Sequence, residues 1–370
     1  MRLTQLRLHR FRSYSQVALL PPEGLTVFVG ENGAGKTNLL EAVHLCCLGR
    51  SHRTSDDQDM IQHGAETAAV HATVQRNGRM DEVGVRLFRS QKQKKLVYAG
   101  GKVVPRLGEL MGHMTCVMFS PEDLEIIKGA PQLRRRFVDM LMAQSIPGYF
   151  YALQHYNAVL KQRNALLKLI GRDARNRGQL SDWDEQLSSA AVPLVRARCE
   201  AVRRLDELSQ KHYAFIGGRP QESLSVRYQS SLAESDDIQA DFLRLLGQSS
   251  EDDLRRQSTG FGPHRDDLLI SLSGQELRSF GSQGQIRTAV LAMRLSQIDM
   301  LTQAQGGEPP LLLLDDVLSE LDLGRRTRLL SGLQHVQTLL TCTELSEAQE
   351  LKPACVLRVA DGQIREQTSD

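Results

Sequence analysis

Alternating apolar positions mark the first hundred residues as β-structure. Residues 3–11 follow the pattern of a slightly bulged strand with one buried face. Farther on, an Asn-Gly turn separates alternating runs at 70–74 and 82–87, and a Gly-Gly turn separates 96–98 from 102–104. Turns of these types favour tight hairpins. This part of the chain is therefore predicted to form antiparallel strands.

The period becomes helical between about residues 131 and 250. Apolar positions over 149–170 fall at alternating three- and four-residue steps, and a second such series follows over 187–215. These spacings predict a helical hairpin, whose first helix is about 33 Å long at ~1.5 Å per residue. Ser181 precedes Asp184 by three residues, which is typical of a capping box at the start of the second helix.

Strand and helix patterns alternate again after residue 260. The run 311–314 is wholly apolar, as in a strand buried on both faces. Residues 336–340 predict another strand, and 356–359 turn through an Asp-Gly pair into a last hairpin. The pattern predicts an α/β protein whose two halves flank a helical insertion. The three segments are 1–130, 131–255 and 256–370.

The composition suits a cytosolic protein without a membrane span. The 370 residues are 41% hydrophobic, and the formal net charge is only +2. No apolar run approaches the roughly 18 residues of a membrane helix, and the N-terminus lacks a signal-peptide pattern. The six cysteines include no C-x-x-C pair, which favours free thiols in a reducing compartment. We expect a cytoplasmic protein with no membrane partner, in which local basic patches would meet any polyanion.

Residues 30–37 form a complete phosphate-binding loop, Gly-Glu-Asn-Gly-Ala-Gly-Lys-Thr. The loop follows a β-type run at 25–29 and precedes a helical pattern that stops at Gly49, as the motif requires. Loop N–H groups and the helix dipole would face the phosphates, with Lys36 on the β- and γ-phosphates and Thr37 on Mg²⁺. The sequence thus predicts binding of ATP and Mg²⁺. The predicted contacts here are Gly30, Glu31, Asn32, Gly33, Ala34, Gly35, Lys36, Thr37 and Asn38.

A second part of the ATP site is predicted where the apolar run 311–314 ends. Asp315 would hold Mg²⁺ as a metal ligand, and Asp316 would orient the attacking water. Many apolar strands end in aspartate, so this feature alone is ambiguous. The block through Asp322 also matches the D-E-x-x-S-x-L-D spacing of ABC-type ATPases. That match favours the catalytic interpretation and adds Asp322 to the nucleotide contacts.

Upstream, Ser282-Gln283-Gly284-Gln285 opens a helical pattern and resembles the L-S-G-G-Q signature of ABC-type ATPases. Read alone, the segment is also compatible with a plain helix cap. In ABC geometry one chain's loop and signature cannot complete the same site, so the resemblance implies that these four residues contact ATP held by a second subunit. ATP would then close a head-to-tail homodimer, and hydrolysis would open it. The implied catalytic residues are Lys36, Asp315, Asp316 and Ser282.

The chain as a whole resembles the RecF family, bacterial DNA replication and repair ATPases related to SMC proteins. The most specific segments are Ser51-His52-Arg53-Thr54 and Gly262-Pro263-His264-Arg265-Asp266-Asp267. The resemblance implies an ABC/SMC-type head split by a helical arm, and a slow, DNA-stimulated ATPase. It also implies an ATP-dependent dimer on duplex DNA and gap junctions that works with RecO and RecR to load RecA. Other matching segments are 6–14, 30–41, 49–50, 119–124, 134–137, 282–285 and 314–322.

Departures from the wider ABC pattern predict slow hydrolysis. Asp316 replaces the usual glutamate, and 341–343 stands where transporters carry a switch histidine. No glutamine of the Q-loop type is evident, and 119–123 is the candidate position.

Two further groups have open roles. His264, Asp266 and Asp267 are compatible with a metal cluster, but a hydrogen-bond network that supports the ATP site is favoured. The segment 50–53, with Arg50, His52 and Arg53, suits a phosphate or DNA contact and a solvated loop equally well.

Basic clusters along the chain are candidate DNA contacts, although each alone is more typical of a solvated face. Aromatic residues are sparse among them, which argues against single-strand stacking and favours salt-sensitive phosphate contacts on duplex. We expect the hairpin 86–95 and the N-terminal arginines to line a groove across the closed dimer. The predicted contacts are Arg12, Arg89, Lys92, Lys94 and Lys95.

Three other functions are compatible with the motifs. A transporter ATPase subunit is disfavoured by the missing switch histidine, the helical insertion and the atypical signature. A small-molecule kinase would be a monomer with no role for Ser282. A module that holds ATP without hydrolysing it would share every motif.

Overall fold

The computed structural model describes residues 1–90, 94–171, 173–217, 219, 221–333, 335–347 and 351–366. The chain divides into two compact units. The first unit comprises Met1–Asp123, Phe215–Gly217 and Arg294–Asp370, and the second comprises Leu124–Ala214 and Gly218–Met293. The boundary expected at residue 255 thus falls inside the second unit.

The elements alternate between the two units as follows. The strands are β1 (Arg2–Phe11), β2 (Tyr14–Leu19), β3 (Leu25–Val29), β4 (Thr67–Arg76), β5 (Arg79–Phe88), β6 (Lys95–Ala99), β7 (Lys102–Val104), β8 (Cys116–Phe119), β9 (Leu224–Gln229), β10 (Asp267–Leu272), β11 (Gln275–Glu276), β12 (Leu311–Asp315), β13 (Thr338–Cys342), β14 (Cys355–Ala360) and β15 (Gln363–Glu366). The helices are α1 (Lys36–Leu48), α2 (Glu125–Lys128), α3 (Pro131–Ser145), α4 (Tyr149–Ile170), α5 (Leu180–Ile216), α6 (Ile238–Gln248), α7 (Ser250–Arg256), α8 (Leu277–Phe280), α9 (Gln283–Ala304) and α10 (Leu323–Ser331).

An antiparallel sheet of order β2-β1-β4-β5-β6-β7 belongs to the first unit. Its alternation buries one face, and the predicted hairpins are confirmed. Arg76 pairs with Arg79 across the β4–β5 turn, where Asn77 and Gly78 have φ values of 47° and 71°. Two consecutive positive φ values are what a tight hairpin turn of this kind requires.

The second sheet of the first unit has the order β15-β14-β3-β13-β12-β8 and is parallel except for β15. The side chains of Leu311–Leu314 are fully buried, so the prediction of a strand covered on both faces is confirmed. The strand expected at 336–340 is β13, displaced toward Cys342. Because β3, β12, β13 and β8 run in one direction, their carboxyl ends meet at one edge, where ligands bind in open α/β sheets.

The second unit combines helices with a small sheet of order β11-β10-β9. Helix α4 has the predicted bounds, but the purely helical pattern overlooked β9, which pairs with β10 through contacts distant in sequence. The predicted capping box is wrong. Helix α5 already begins at Leu180; Ser181 donates to the Gly178 carbonyl at 3.3 Å, and Asp184 accepts from Arg163 at 2.6 Å.

Within the described residues, no helix combines the length and the apolar character needed to cross a membrane.

Candidate nucleotide-binding site

The phosphate loop joins β3 to α1 at the ligand-binding edge of the parallel sheet. Gly33 and Gly35 have φ values of 84° and 110°, in the left-handed region. A Cβ atom on Gly35 would also lie 2.7 Å from Ser13 Oγ, and one on Gly30 would lie 2.2 Å from the Val359 carbonyl oxygen. Glycine is therefore required by backbone angle at Gly35 and by close packing at both ends of the loop.

The Lys36 ammonium group lies inside this loop. Its Nζ donates to the carbonyl oxygens of Gly30 at 2.6 Å and Glu31 at 2.9 Å, and the residue is buried. Neutral carbonyl groups leave the positive charge uncompensated, at the N-terminal end of α1 where the helix dipole is also positive. The loop is thus suited to an anion with several acceptor oxygens.

Thr37 and Asp315 meet at the same edge, as the sequence predicted. Asp315 Oδ1 accepts from Thr37 Oγ1 at 2.9 Å and from Thr341 Oγ1 at 2.8 Å. A hydroxyl and a carboxylate are hard oxygen ligands of the kind that Mg²⁺ takes together with phosphate oxygens. No group of three or more His, Cys, Asp or Glu side chains suited to a metal occurs among the described residues. The pair fits a metal held jointly with a nucleotide.

Asp316 has a left-handed backbone, with φ of 51°. This conformation is costly for a residue other than glycine and is typical of functional sites. Its N–H donates to Thr341 Oγ1 at 3.0 Å. Thr341, which stands at the switch-histidine position, therefore fixes both aspartates.

The turn between β1 and β2 packs against the phosphate loop, a role that sequence reasoning missed. Tyr14 is fully buried and its hydroxyl donates to the Gly35 carbonyl at 3.0 Å. Ser13 Oγ accepts from Asn38 Nδ2 at 3.1 Å. In the sequence, the segment 6–14 matched the family pattern, but the match assigned it no role in the nucleotide site.

A buried carboxylate ties the same turn to α1. Glu41 is fully buried and accepts from Arg12 Nε and Nη2 at 2.8 and 2.7 Å, and from the Ser51 hydroxyl. Burial alone would raise the pKa of Glu41, but hydrogen bonds from Arg12 and Ser51 hold it below its ordinary value. Arg12 is thereby engaged within the first unit, which speaks against its predicted DNA contact.

The segment 50–53 approaches the same site. Arg53 Nη1 donates to Asn38 Oδ1 at 3.0 Å, while 44% of the Arg53 side chain remains exposed. Burial lowers the pKa of His52 despite the nearby carboxylates of Glu41 and Asp315. The Arg50 carbonyl oxygen lies 3.1 Å from His44 Nδ1.

The residues predicted to bind phosphate and metal border one cavity of about 290 Å³. Its lining comprises the phosphate loop with Thr37, the Asp315–Asp316 pair, Thr341 and Arg53. The candidate Q-loop segment follows β8, where Phe119 pairs with Leu314 of β12, so it begins at the edge that carries Asp315. Its role stays a prediction.

The signature-like segment belongs to the second unit. The Ser282 N–H donates to Gln285 Oε1 at 2.9 Å, and the Gln285 N–H donates to Ser282 Oγ at 3.3 Å. This reciprocal pair is a capping box at the start of α9. Ser282 and Gln283 are exposed. The helix-cap interpretation is confirmed, and a contact with a second subunit's nucleotide stays a prediction for Ser282, Gln283, Gly284 and Gln285.

Asp322 also lies at a helix start, in the first unit. Its exposed carboxylate accepts from the Arg325 N–H at 3.0 Å. Its predicted contact with nucleotide is likewise open.

His264, Asp266 and Asp267 form hydrogen bonds within the second unit. His264 lies 2.7 Å from the Tyr156 hydroxyl, and burial lowers the pKa of the imidazole to about 4. Asp267 accepts two bonds from Arg134 at 2.6 and 2.8 Å, and Asp266 accepts from Tyr228. The expected hydrogen bonds are present, but they lie within the second unit, so their support of the ATP site stays a prediction. Among the described residues these three side chains belong to no metal cluster.

The predicted DNA contacts have different environments. Arg89 Nε donates to the Ala65 carbonyl at 3.1 Å, and Lys95 Nζ lies 2.7 Å from Asp57. Lys94 is exposed, whereas Lys92 lies outside the described residues. Together with Arg12, two more of the five are thus engaged internally.

The split α/β architecture, the phosphate loop and the Asp315 block define the class of protein as a P-loop ATPase head of the ABC/SMC type. Residues 2–354 match the family model described as RecF/RecN/SMC N terminal domain. The DNA replication and repair protein RecF of Shouchella clausii (strain KSM-K16) is 40% identical over 369 residues, covering 97% of this chain and 98% of the relative. The chain belongs to the RecF family.

Solved structures agree with the predicted fold class. A structure described as the recombination mediator protein RecF-ATPrS in the RecFOR pathway gives a TM-score of 0.92 at 31% identity, covering 99% of this chain and 98% of that one. An Smc head domain derived from Pyrococcus furiosus, bound to the C-terminal domain of ScpA, gives 0.57 at 15% identity, covering 99% and 96%. At 15% identity the likeness shows the shared fold alone.

Proposed function

We propose that this chain is an ATP-dependent DNA-binding clamp of recombinational DNA repair and replication restart. The observation that carries the proposal is the 2.9 Å contact between Thr37 and Asp315, which are 278 residues apart in the chain. They meet beside Lys36 in one cavity, where phosphate and metal ligands are both required.

Each residue of the cavity has a defined task. Loop N–H groups and Lys36 bind the phosphates, and Thr37 with Asp315 would hold Mg²⁺. When bound, Mg²⁺ supplies charge neutralisation at the β- and γ-phosphates. Asp316, held by Thr341, would orient the attacking water. Its side chain is shorter than the usual glutamate, which is the reason to expect slow hydrolysis.

Dimerisation is supported by the Ser282 segment. Ser282 and Gln283 are exposed at the N-terminus of a 22-residue helix, and such a terminus is suited to bind a phosphate. The sequence carries one phosphate-loop motif and one signature-like segment, so two chains in head-to-tail order would enclose two ATP molecules. ATP that binds only the dimer shifts the equilibrium toward it.

The biological setting is proposed from the relatives. They are named DNA replication and repair protein RecF, and a solved relative is described as a recombination mediator of the RecFOR pathway. We infer duplex and gapped DNA as ligands, RecO and RecR as partners, and support of RecA loading as the outcome. The rival transporter function lacks a supporting observation, since Thr341 replaces the switch histidine and bonds Asp315.

Light scattering tests the proposal by measuring mass without nucleotide, with ATP, and with ATP plus short duplex. We expect the mass to double with ATP, duplex to strengthen the dimer, and Lys36→Ala to abolish the change. Lys102→Ala is the matched control, because Lys102 is an exposed lysine of β7. A wild-type protein that binds ATP yet stays monomeric would contradict the clamp and favour the kinase or passive-module function.

A further inference from the structure

The antiparallel sheet of the first unit has an outward face that the nucleotide site does not use. Its opposite face carries buried side chains such as Leu6, Leu8 and Val85. On the outward face, Arg7 of β1 pairs with His71 of β4, and His71 pairs with Gly84 of β5. In the adjacent row, His9 pairs with Ala69, and Ala69 pairs with Arg86.

Two small residues, Gly84 and Ala69, lie near the centre of this face. A Cβ atom on Gly84 would lie 2.6 Å from His71 Nδ1, so the imidazole lies directly over the glycine backbone. The His71 ring centre is 5.2 Å from that of Tyr98 on β6. Gly84 and Ala69 thus place no bulky side chain among the basic side chains of Arg7, His71 and Arg86. These three residues are called the arginine–histidine seat below.

The positive charge of the seat has no ion-pair partner among the described residues. Arg7 lies directly opposite His71, at about 5 Å for such neighbours, and Arg86 lies diagonal to His71, at about 7–8 Å. Both arginines would therefore repel a protonated His71. Across the described part of the chain, no carboxylate lies within ion-pair distance of Arg7 or Arg86. By contrast, Arg12 of the same strand has Glu41 at 2.7 Å.

The pKa of His71 reflects the positive charge of the two arginines. The groups that face it are Arg7 from β1, Glu82 and Arg86 from β5, and Tyr98 from β6. Burial lowers the pKa of His71, and Arg7 and Arg86 lower it further against the opposing effect of Glu82. A bound anion would relieve the repulsion and favour the protonated imidazole.

We propose that the arginine–histidine seat binds the sugar–phosphate backbone of duplex DNA. The inference rests on the proposed function and locates its DNA contact on this face, in place of Arg12, Arg89 and Lys95. Duplex is favoured over single strands because the aromatic rings beside the seat are already packed: Tyr98 contacts His71, and buried Phe88 lies beneath the Arg86 guanidinium. Neither ring is therefore available as a stacking platform for bases. Flat, rigid guanidinium donors suit phosphate oxygens.

The test measures duplex affinity against salt concentration in ATP for wild type, Arg7→Gln, Arg86→Gln and Arg79→Gln. Each seat variant should make the slope of log affinity against log salt shallower by about 0.9, the contribution of one phosphate contact. Arg79→Gln is the matched control. It removes an exposed arginine at the other end of β5, about 23 Å from Arg86 at ~3.3 Å per residue.

A second measurement follows affinity from pH 8 to pH 6. Binding to the anion raises the pKa of His71, so affinity should increase as pH falls, and His71→Asn should lose most of this increase. The salt slopes of Arg7→Gln and Arg86→Gln could equal that of wild type while ATP still drives dimerisation on duplex. That result would overturn the assignment of DNA binding to the seat and leave the proposed function intact. A wild-type protein without ATP-dependent duplex binding would overturn the proposed function itself. If the seat variants lose as much affinity for single-stranded DNA of equal length as for duplex, the assignment to duplex is overturned.

Discussion

Charged groups are buried in both units, but those of the nucleotide cavity are compensated differently from those inside the second unit. In the first unit, Lys36 and Asp315 border a cavity and bond to neutral carbonyl and hydroxyl groups. In the second unit, Arg163 is fully buried and contacts Asp184 at 2.6 Å and Asp253 at 2.7 Å. A charge met by neutral dipoles retains its capacity to bind a ligand, whereas a charge met by opposite charges serves the fold.

This difference explains why two segments that both match the family have unlike roles. The phosphate loop leaves its charge facing a cavity. The segment with His264, Asp266 and Asp267 bonds to Tyr156, Tyr228 and Arg134 within its own unit. We therefore expect substitutions in the hydrogen bonds of the His264 segment to alter folding first, and substitutions around the cavity to alter nucleotide binding first.

The largest expected effect on stability comes from Arg163→Met. The change leaves two buried carboxylates, Asp184 and Asp253, without their ion-pair partner, so the free energy of unfolding should fall by about 3–5 kcal/mol. Urea denaturation measures it. Arg203→Met is the control, because Arg203 is exposed and bonds Glu200 on the same helix, and its effect should stay within ~0.5 kcal/mol. A loss below about 1 kcal/mol for Arg163→Met would contradict the inference that this ion-paired arginine serves the fold.

The next effect is a dependence of stability on pH through His264. Its pKa is about 4 in the folded protein against an ordinary value of 6.5. Above both values the imidazole is neutral in either state and contributes no pH dependence. As pH falls below 6.5 the unfolded chain binds the proton first, so stability is lost progressively until the folded pKa is reached.

Between pH 7 and 5 this loss should be about 2 kcal/mol. Denaturation of wild type and His264→Gln at both pH values measures it, since the variant lacks the titrating group. If both proteins lose stability equally over this range, His264 does not carry the effect.

The sequence predicts whatever depends on local pattern. Strands β1, β4 and β5 were predictable because burial of one face imposes alternation, and the phosphate loop because its glycines serve local backbone geometry. Strand β9 was not, because its stability comes from pairing with β10. Nor did the positive charge of Arg12 indicate that Glu41 lies opposite, since that contact joins two elements whose approach only the fold defines.

The smallest effect compares one hydroxyl in each region. Tyr14→Phe removes the bond to the Gly35 carbonyl, and Tyr149→Phe removes a bond to Asp139 of 2.6 Å. Tyr14→Phe should cost about 1 kcal/mol of unfolding free energy, and Tyr149→Phe about 1.5 kcal/mol, because the acceptor of its bond is a charged carboxylate.

Only Tyr14→Phe should also weaken ATP binding. The dissociation constant should rise by up to about tenfold if the lost hydrogen-bond free energy must be supplied when ATP orders the phosphate loop. The reason is that Gly35 precedes the first helical N–H groups that face the phosphates. Nucleotide titration at matched protein stability separates the two effects. Equal weakening by both variants would mean that the two regions do not divide binding from folding as their charge compensation implies.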